Sequence, residues 1–239
     1  MKTIFYDLKR VKIYLISFII LSFIMISFFW SRDLSNYNVG VFSYYFFAMN
    51  YFGMLCIISR LYIEDFQTGA IKNLYVCAGS IKKIISQRLL SSIAIGFVIF
   101  LSSQVNVVIS YNKLSKIFEL NEFIKSSLSM LVVYLLVTIL ISSYIGLISY
   151  AFSNYKRAYI AAILPPALLH YIFPFVLLIT SSYADTFLRK TIEYLPNGLI
   201  ITWANMWNVN LTQFLVFVIW VAIFLLLTML ISSRKDLLR

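Results

Sequence analysis

Residues 211–233 read LTQFLVFVIWVAIFLLLTMLISS, a run with no charged side chain. An α-helix rises 1.5 Å per residue, so a run of this length reaches across the roughly 30 Å hydrocarbon core of a bilayer. Working back toward the N-terminus, five more charge-free stretches lie at 13–30, 39–59, 89–112, 126–155 and 158–184. The stretches 126–155 and 158–184 are separated only by Lys156 and Arg157, which fits two spans joined by a tight turn. Together they predict an all-α membrane protein with six transmembrane helices. The composition agrees: of 239 residues 62% are hydrophobic and only 12% charged, against about 25% charged in a soluble domain. A soluble globular fold is excluded.

The net charge of +11 is read by placement. With the N-terminus in the cytoplasm, the inner side holds fourteen of the twenty basic residues and four of the nine acids. That bias follows the positive-inside rule, makes both termini cytoplasmic and places a multi-pass chain in the cell membrane. The charge is therefore a topology signal, and no nucleic-acid partner is expected. The first hydrophobic run ends in Phe28, Phe29 and Trp30 with no small-residue cleavage site, so it reads as an uncleaved helix. Residues 1–12 place Ile4, Phe5, Leu8 and Val11 on one face with Lys2, Lys9 and Arg10 elsewhere, the pattern of an N-terminal interfacial helix. A solvated tail carrying topology charges is the alternative.

The longest inner stretch, 60–88, reads RLYIEDFQTGAIKNLYVCAGSIKKIISQR. Ile71, Leu74, Tyr75 and Ala78 recur at helical spacing, Gly79 interrupts, and Ser80 is placed to cap a following helix. A helical elbow is implied, presenting charged and aromatic groups to the cytoplasm. A solvated loop that only fixes orientation is the alternative.

These residues carry a resemblance. An acid closing the second span, Glu64, then Thr68-Gly69, Leu74, and basic Lys82, Lys83 and Arg88 before the third span resemble permease subunits of ABC-2-type transporters. Six spans, cytoplasmic termini, an N-terminal interfacial helix and an outer charge-free segment before the last span are similar to that family. In size the chain most resembles the small permeases of bacteriocin-immunity and phenol-soluble-modulin peptide exporters. The resemblance implies that the elbow is a coupling helix seated in a separate cytoplasmic ABC ATPase subunit. It implies ATPase-coupling roles for Glu64, Asp65, Thr68, Gly69, Lys72, Leu74, Lys82, Lys83 and Arg88, with Lys156 and Arg157 in the short second inner loop. ATP and Mg would be bound by the partner, and a second permease, identical or related, would complete the pathway. The chain's seven glycines form no GxxxxGK[ST] phosphate loop, which suits a transport subunit without its own ATPase and without a cofactor.

Within the spans the polar residues Asn50, Gln104, Asn106 and His170, with Tyr45 and Tyr51 among the aromatics of the second run, are candidates for a substrate path. Each also has an interhelical hydrogen-bonding role open to it. Their lack of charge favours an amphipathic or lipidic substrate over ions; the resemblance implies an amphipathic peptide cargo, with lipid or drug export as the alternative. His170 lies among Pro165, Pro166 and Pro174, which predict a kinked helix whose freed carbonyls need partners; His170 is expected to supply one. The outer segment YLPNGLIITWANMWNVN, 194–210, contains Trp203 and Trp207 and reads either as a partly re-entrant hairpin or as an amphipathic surface helix.

Cys56 and Cys77 form no CxxC, and His170 is the sole histidine, so no disulfide framework or metal site is indicated. For the same reason an intramembrane enzyme is disfavoured, because catalysis at membrane depth needs a base or metal ligands. An accessory membrane protein without transport remains a third class.

Overall fold

A computed structural model describes residues 2–30, 39–111, 120–179, 187–206 and 208–234. Their regular elements are all helical: α1 (Lys2–Trp30), α2 (Val39–Gln67), α3 (Ala70–Ala78), α4 (Ile81–Tyr111), α5 (Leu120–Ala151), α6 (Tyr155–Ile179), α7 (Phe187–Glu193), α8 (Pro196–Met206) and α9 (Leu211–Arg234). Five of them contain a segment long and apolar enough to cross a membrane: Phe46–Gln67, Ile81–Ile109, Phe123–Ala151, Tyr155–Val176 and Leu211–Ser232. That is the make-up of a multi-pass membrane protein. The expected first span, 13–30, falls in α1 and is not among the five; its side chains from residue 25 onward lie outside the described residues. So do residue 112 of the third expected span and 180–184 of the fifth.

The N-terminus differs from the expectation. Residues 2–12 are the first turns of α1, with no break before residue 13. The buried stripe of that helix is Asp7, Val11, Leu15, Phe18 and Ser22, whereas Phe5 is 74% exposed. The spacing of four, four, three and four is one helical face. It was missed because its first member is an acid, and an apolar count at residues 4–11 selected the neighbouring face.

α2 is the central helix, packing on α1, α4, α5, α6 and α8. Phe47, Met54, Leu55, Ile58 and Leu61 of α2 meet Ile95 and Ile99 of α4, Val133 and Val137 of α5, and Leu199 of α8 in one core. Two glycines permit close approach. A Cβ on Gly53 would overlap the Phe18 ring of α1, and one on Gly96 would overlap Thr138 of α5. Small residues let helices meet where no water is present to drive their association. In contrast α6 and α9 present exposed apolar rows, with Tyr171, Phe175, Leu215 and Ile219 among them, as a hydrocarbon-facing surface does.

The chain turns sharply between α2 and α4. Gly69 (φ 70°) and Gly79 (φ 69°) adopt the left-handed conformation on either side of α3, which glycine enters without a Cβ penalty. The Gly79 N–H donates to the Tyr75 carbonyl at 2.9 Å and closes α3. The Ser80 hydroxyl accepts the Lys83 N–H at 3.4 Å, capping α4 where the sequence placed its cap.

Candidate functional site

At the α3 end of the bundle three arginines and three acids from α1, α2 and α4 form one network. Arg88 of α4 donates through Nη1 to Asp7 of α1 and through Nη2 to Asp65 of α2. Arg10 of α1 reaches Asp65 at 2.6 Å and Glu64 at 3.2 Å, and Arg60 reaches Glu64 at 2.6 Å. The Ser91 hydroxyl donates to the second oxygen of Asp7 at 2.6 Å. Asp7, Asp65 and Arg88 are buried, and the charges balance, which is the condition under which buried ions are tolerated. Burial opposes the charge of Arg10, but the adjacent Asp65 and Glu64 carboxylates outweigh it and hold its pKa above the ordinary value. Hydroxyls continue the network inward: Ser92 donates to the Arg88 carbonyl, Ser142 donates to Ser92, and Tyr62 lies 2.8 Å from Ser142.

The sequence-predicted elbow residues therefore divide. Glu64, Asp65 and Arg88 are expected to face the cytoplasm, yet they point into the protein and lock α1 against α2 and α4. Buried carboxylates need cations within reach, and α1 supplies one in Arg10 while Arg88 bridges both sides. Thr68 is exposed and its hydroxyl donates to the Glu64 carbonyl at 2.8 Å, finishing α2. Leu74 is part-buried on α3, and Lys82 and Lys83 are exposed on the first turn of α4. Lys72 lies in α3, and its side chain is outside the described residues. Lys156 and Arg157 are exposed at the start of α6, where Asn154 Oδ1 accepts their backbone N–H groups at 2.9 and 3.3 Å.

The polar residues of the spans fall into separate groups. Asn50 donates to the Tyr134 hydroxyl at 2.7 Å, and that hydroxyl donates to Ser103 at 3.1 Å. Gln104 accepts from Ser127 at 2.8 Å. Asn106 is buried with neither amide atom bonded. Tyr51 donates to Asn197 Oδ1 at 3.3 Å and stacks on the His170 ring at 4.5 Å between centroids. The side chain of Tyr45 lies outside the described residues.

His170 does not take up a proline-freed carbonyl. Both of its ring nitrogens are buried without a partner, and its ring stacks on that of Tyr51. The carbonyl four residues before Pro165, Ala161 O, is met by the Tyr144 hydroxyl of α5 at 2.7 Å.

At the opposite end α8 packs on α2, α5, α6 and α9. Trp203 is fully buried, not at a surface, and donates to Gln213 at 3.0 Å. Trp207 lies outside the described residues. Beneath α8 is a cavity of about 310 Å³ lined by Tyr51, Leu55, Tyr144, Pro165, Phe173, Asn197 and Phe224, among others. It is an apolar chamber with three polar tips, suited to an apolar or amphipathic guest rather than an ion. Among the described residues no group of His, Cys, Asp and Glu is placed to hold a metal.

Asp7, Arg10, Arg60, Tyr134 and Asn197 were not singled out from the sequence. Asp7 had a signal, being the lone acid in a basic N-terminal stretch and in register with Val11 and Leu15. Asn197 stands between Pro196 and Gly198 in the outer segment, with nothing local to mark it as a partner of Tyr51. No protein-family model matches the chain, and no curated protein matches it.

Proposed function

We propose that this chain is the membrane-spanning permease subunit of an ATP-driven ABC exporter. The observation that supports it best is the α2–α3–α4 elbow. α3 stands between two left-handed glycines, with exposed Asn73, Val76, Lys82 and Lys83 around it. Directly behind lies the ion network joining the ends of α1, α2 and α4. A push on α3 is delivered to three long helices at once, because separating any one of them breaks a buried charge pair. In this reading α3 is the coupling helix, a cytoplasmic ATPase subunit binds ATP and Mg and docks on it, and both termini are cytoplasmic. A second permease of the same or a related kind completes the pathway, and the cargo is an amphipathic peptide.

The test is affinity purification of the chain from its native membrane, with identification of stoichiometric partners and an ATPase assay with and without amphipathic peptides. A co-purifying P-loop subunit stimulated by peptide is expected. Failure to retain any ATPase after crosslinking with nucleotide present would end this reading.

A further inference from the structure

A second recess lies on the flank of the bundle. α1 and α6 both pack on α2 but, among the described residues, not on each other. The gap between them is a groove of about 420 Å³ with Phe18, Gly53, Cys56 and Ile57 at its base. Tyr14, Leu21 and Phe52, which also line it, are between 45 and 50% exposed, so it is open to whatever surrounds the bundle. From Arg60 to Met49 it extends about 16 Å along α2 at 1.5 Å per residue.

The groove has one polar end. Arg60 and Tyr159 line it there, their side chains within hydrogen-bonding range of each other. The Arg60 side chain is 33% exposed, with Nη2 on Glu64 at 2.6 Å. A part-exposed guanidinium and a phenol hydroxyl thus meet at the head of an apolar slot. Arg60 is also 5.5 Å from the Tyr14 ring centre, an arrangement that holds the guanidinium in place. The ion network beside it is balanced, with three arginines to three acids. Lys12 and Lys156 and Arg157 are additional and exposed, each within one turn of Tyr14 or Tyr159, so the local excess is positive.

We infer that this groove binds one anionic phospholipid, with an acyl chain along Leu21, Phe52 and Cys56 and the phosphate accepting from the Arg60 guanidinium and the Tyr159 hydroxyl. A phosphate accepts from both groups without displacing Glu64 from Arg60, and a charge-assisted bond to guanidinium is among the stronger hydrogen bonds. The surplus lysines and arginine favour an acidic headgroup over a zwitterionic one. A hydrocarbon chain packs against Tyr14, Leu21 and Phe52, the exposed part of the lining. This inference needs no ATPase partner and stands apart from the exporter reading.

The experiment reconstitutes the full chain in nanodiscs of equal phosphatidylglycerol and phosphatidylcholine, extracts it in mild detergent, and weighs retained lipid by native mass spectrometry. Wild type is expected to keep one phosphatidylglycerol per chain. Tyr159→Phe, which removes one hydroxyl and nothing else, is expected to lower retention about fivefold. Cys56→Trp, which fills the base of the groove away from the ion network, is expected to abolish it. Arg60→Gln should lower it further than Tyr159→Phe. Equal retention of the two lipids in wild type would overturn the inference. So would unchanged retention in Tyr159→Phe and Cys56→Trp proteins that elute as wild type, or recovery of a peptide in place of lipid.

Discussion

The Tyr144 hydroxyl of α5 donates to the Ala161 carbonyl of α6, the one that Pro165 has no N–H to reach. Proline inside a spanning helix is tolerated only where a neighbour satisfies the carbonyl it frees, and here the neighbour is named. Tyr144→Phe is expected to destabilise the protein by about 1 to 3 kcal/mol, the cost of one buried unpaired acceptor. In a Pro165→Ala background, where residue 165 regains its N–H, the same change should cost much less. Thermal unfolding of the four proteins in one detergent gives the cycle; equal losses in both backgrounds would refute the assignment.

Asp7 and Arg88 offer a sharper contrast. Asp7→Ala leaves Arg88 with one carboxylate less inside the protein, and a loss of about 3 to 5 kcal/mol is expected from breaking a buried pair. Replacing Asp7, Asp65, Arg10 and Arg88 together with apolar residues of similar volume should cost less than the single change, since no uncompensated charge remains. Size-exclusion profiles after graded heating measure both. If the quadruple replacement proves the worse, the network is doing more than balancing charge.

At Gly96 a methyl group has nowhere to go, because Thr138 already occupies the space. Gly96→Ala is expected to cost about 1 to 3 kcal/mol by overpacking, with partial recovery in Gly96→Ala/Thr138→Ala. A Gly96→Ala protein of unchanged stability would mean that α4 and α5 are not held as closely as described.

His170→Phe should be neutral or stabilising. The replacement keeps a ring against Tyr51 and removes two buried nitrogens that have no partner, each of which carries a desolvation cost. A clear fall in melting temperature would show that the imidazole makes a hydrogen bond in the membrane.

On the elbow, Val76 is 75% exposed on α3. If the chain is an exporter permease as proposed, Val76→Arg is expected to abolish co-purification of an ATPase subunit while leaving the melting temperature of the isolated chain within about 1 °C, since exposed positions contribute little to stability. Glu64→Ala should lower that temperature directly, because Glu64 binds Arg10 and Arg60 within the chain. If Val76→Arg retains the partner in full, docking does not use this face of α3.

Much of the helical content was legible in the sequence, because a spanning helix needs a long run without charges and little else supplies one. The α3 elbow was legible too, since Gly69 and Gly79 mark its limits and Ser80 its sequel. The candidate site was legible only as a list. Glu64, Asp65 and Arg88 stood out as charged residues near a membrane boundary, yet Arg10 lies 54 and 55 residues from Glu64 and Asp65, and Asp7 lies 81 from Arg88. Nothing in local periodicity couples such distances.

What the sequence by itself determined is therefore the helical, membrane-protein character of the chain and the position of its main turn, both consequences of local composition and backbone preference. Only the tertiary structure decided which face of each helix is inside. It made Asp7 a core residue, turned Arg88 inward, gave Ala161 its hydroxyl from Tyr144 and left His170 with none. In hydrocarbon, apolar residues are comfortable on either side of a helix, so hydrophobicity does not choose the face. The choice falls to the few polar atoms that must find one another, and those pairings exist only once the helices are packed.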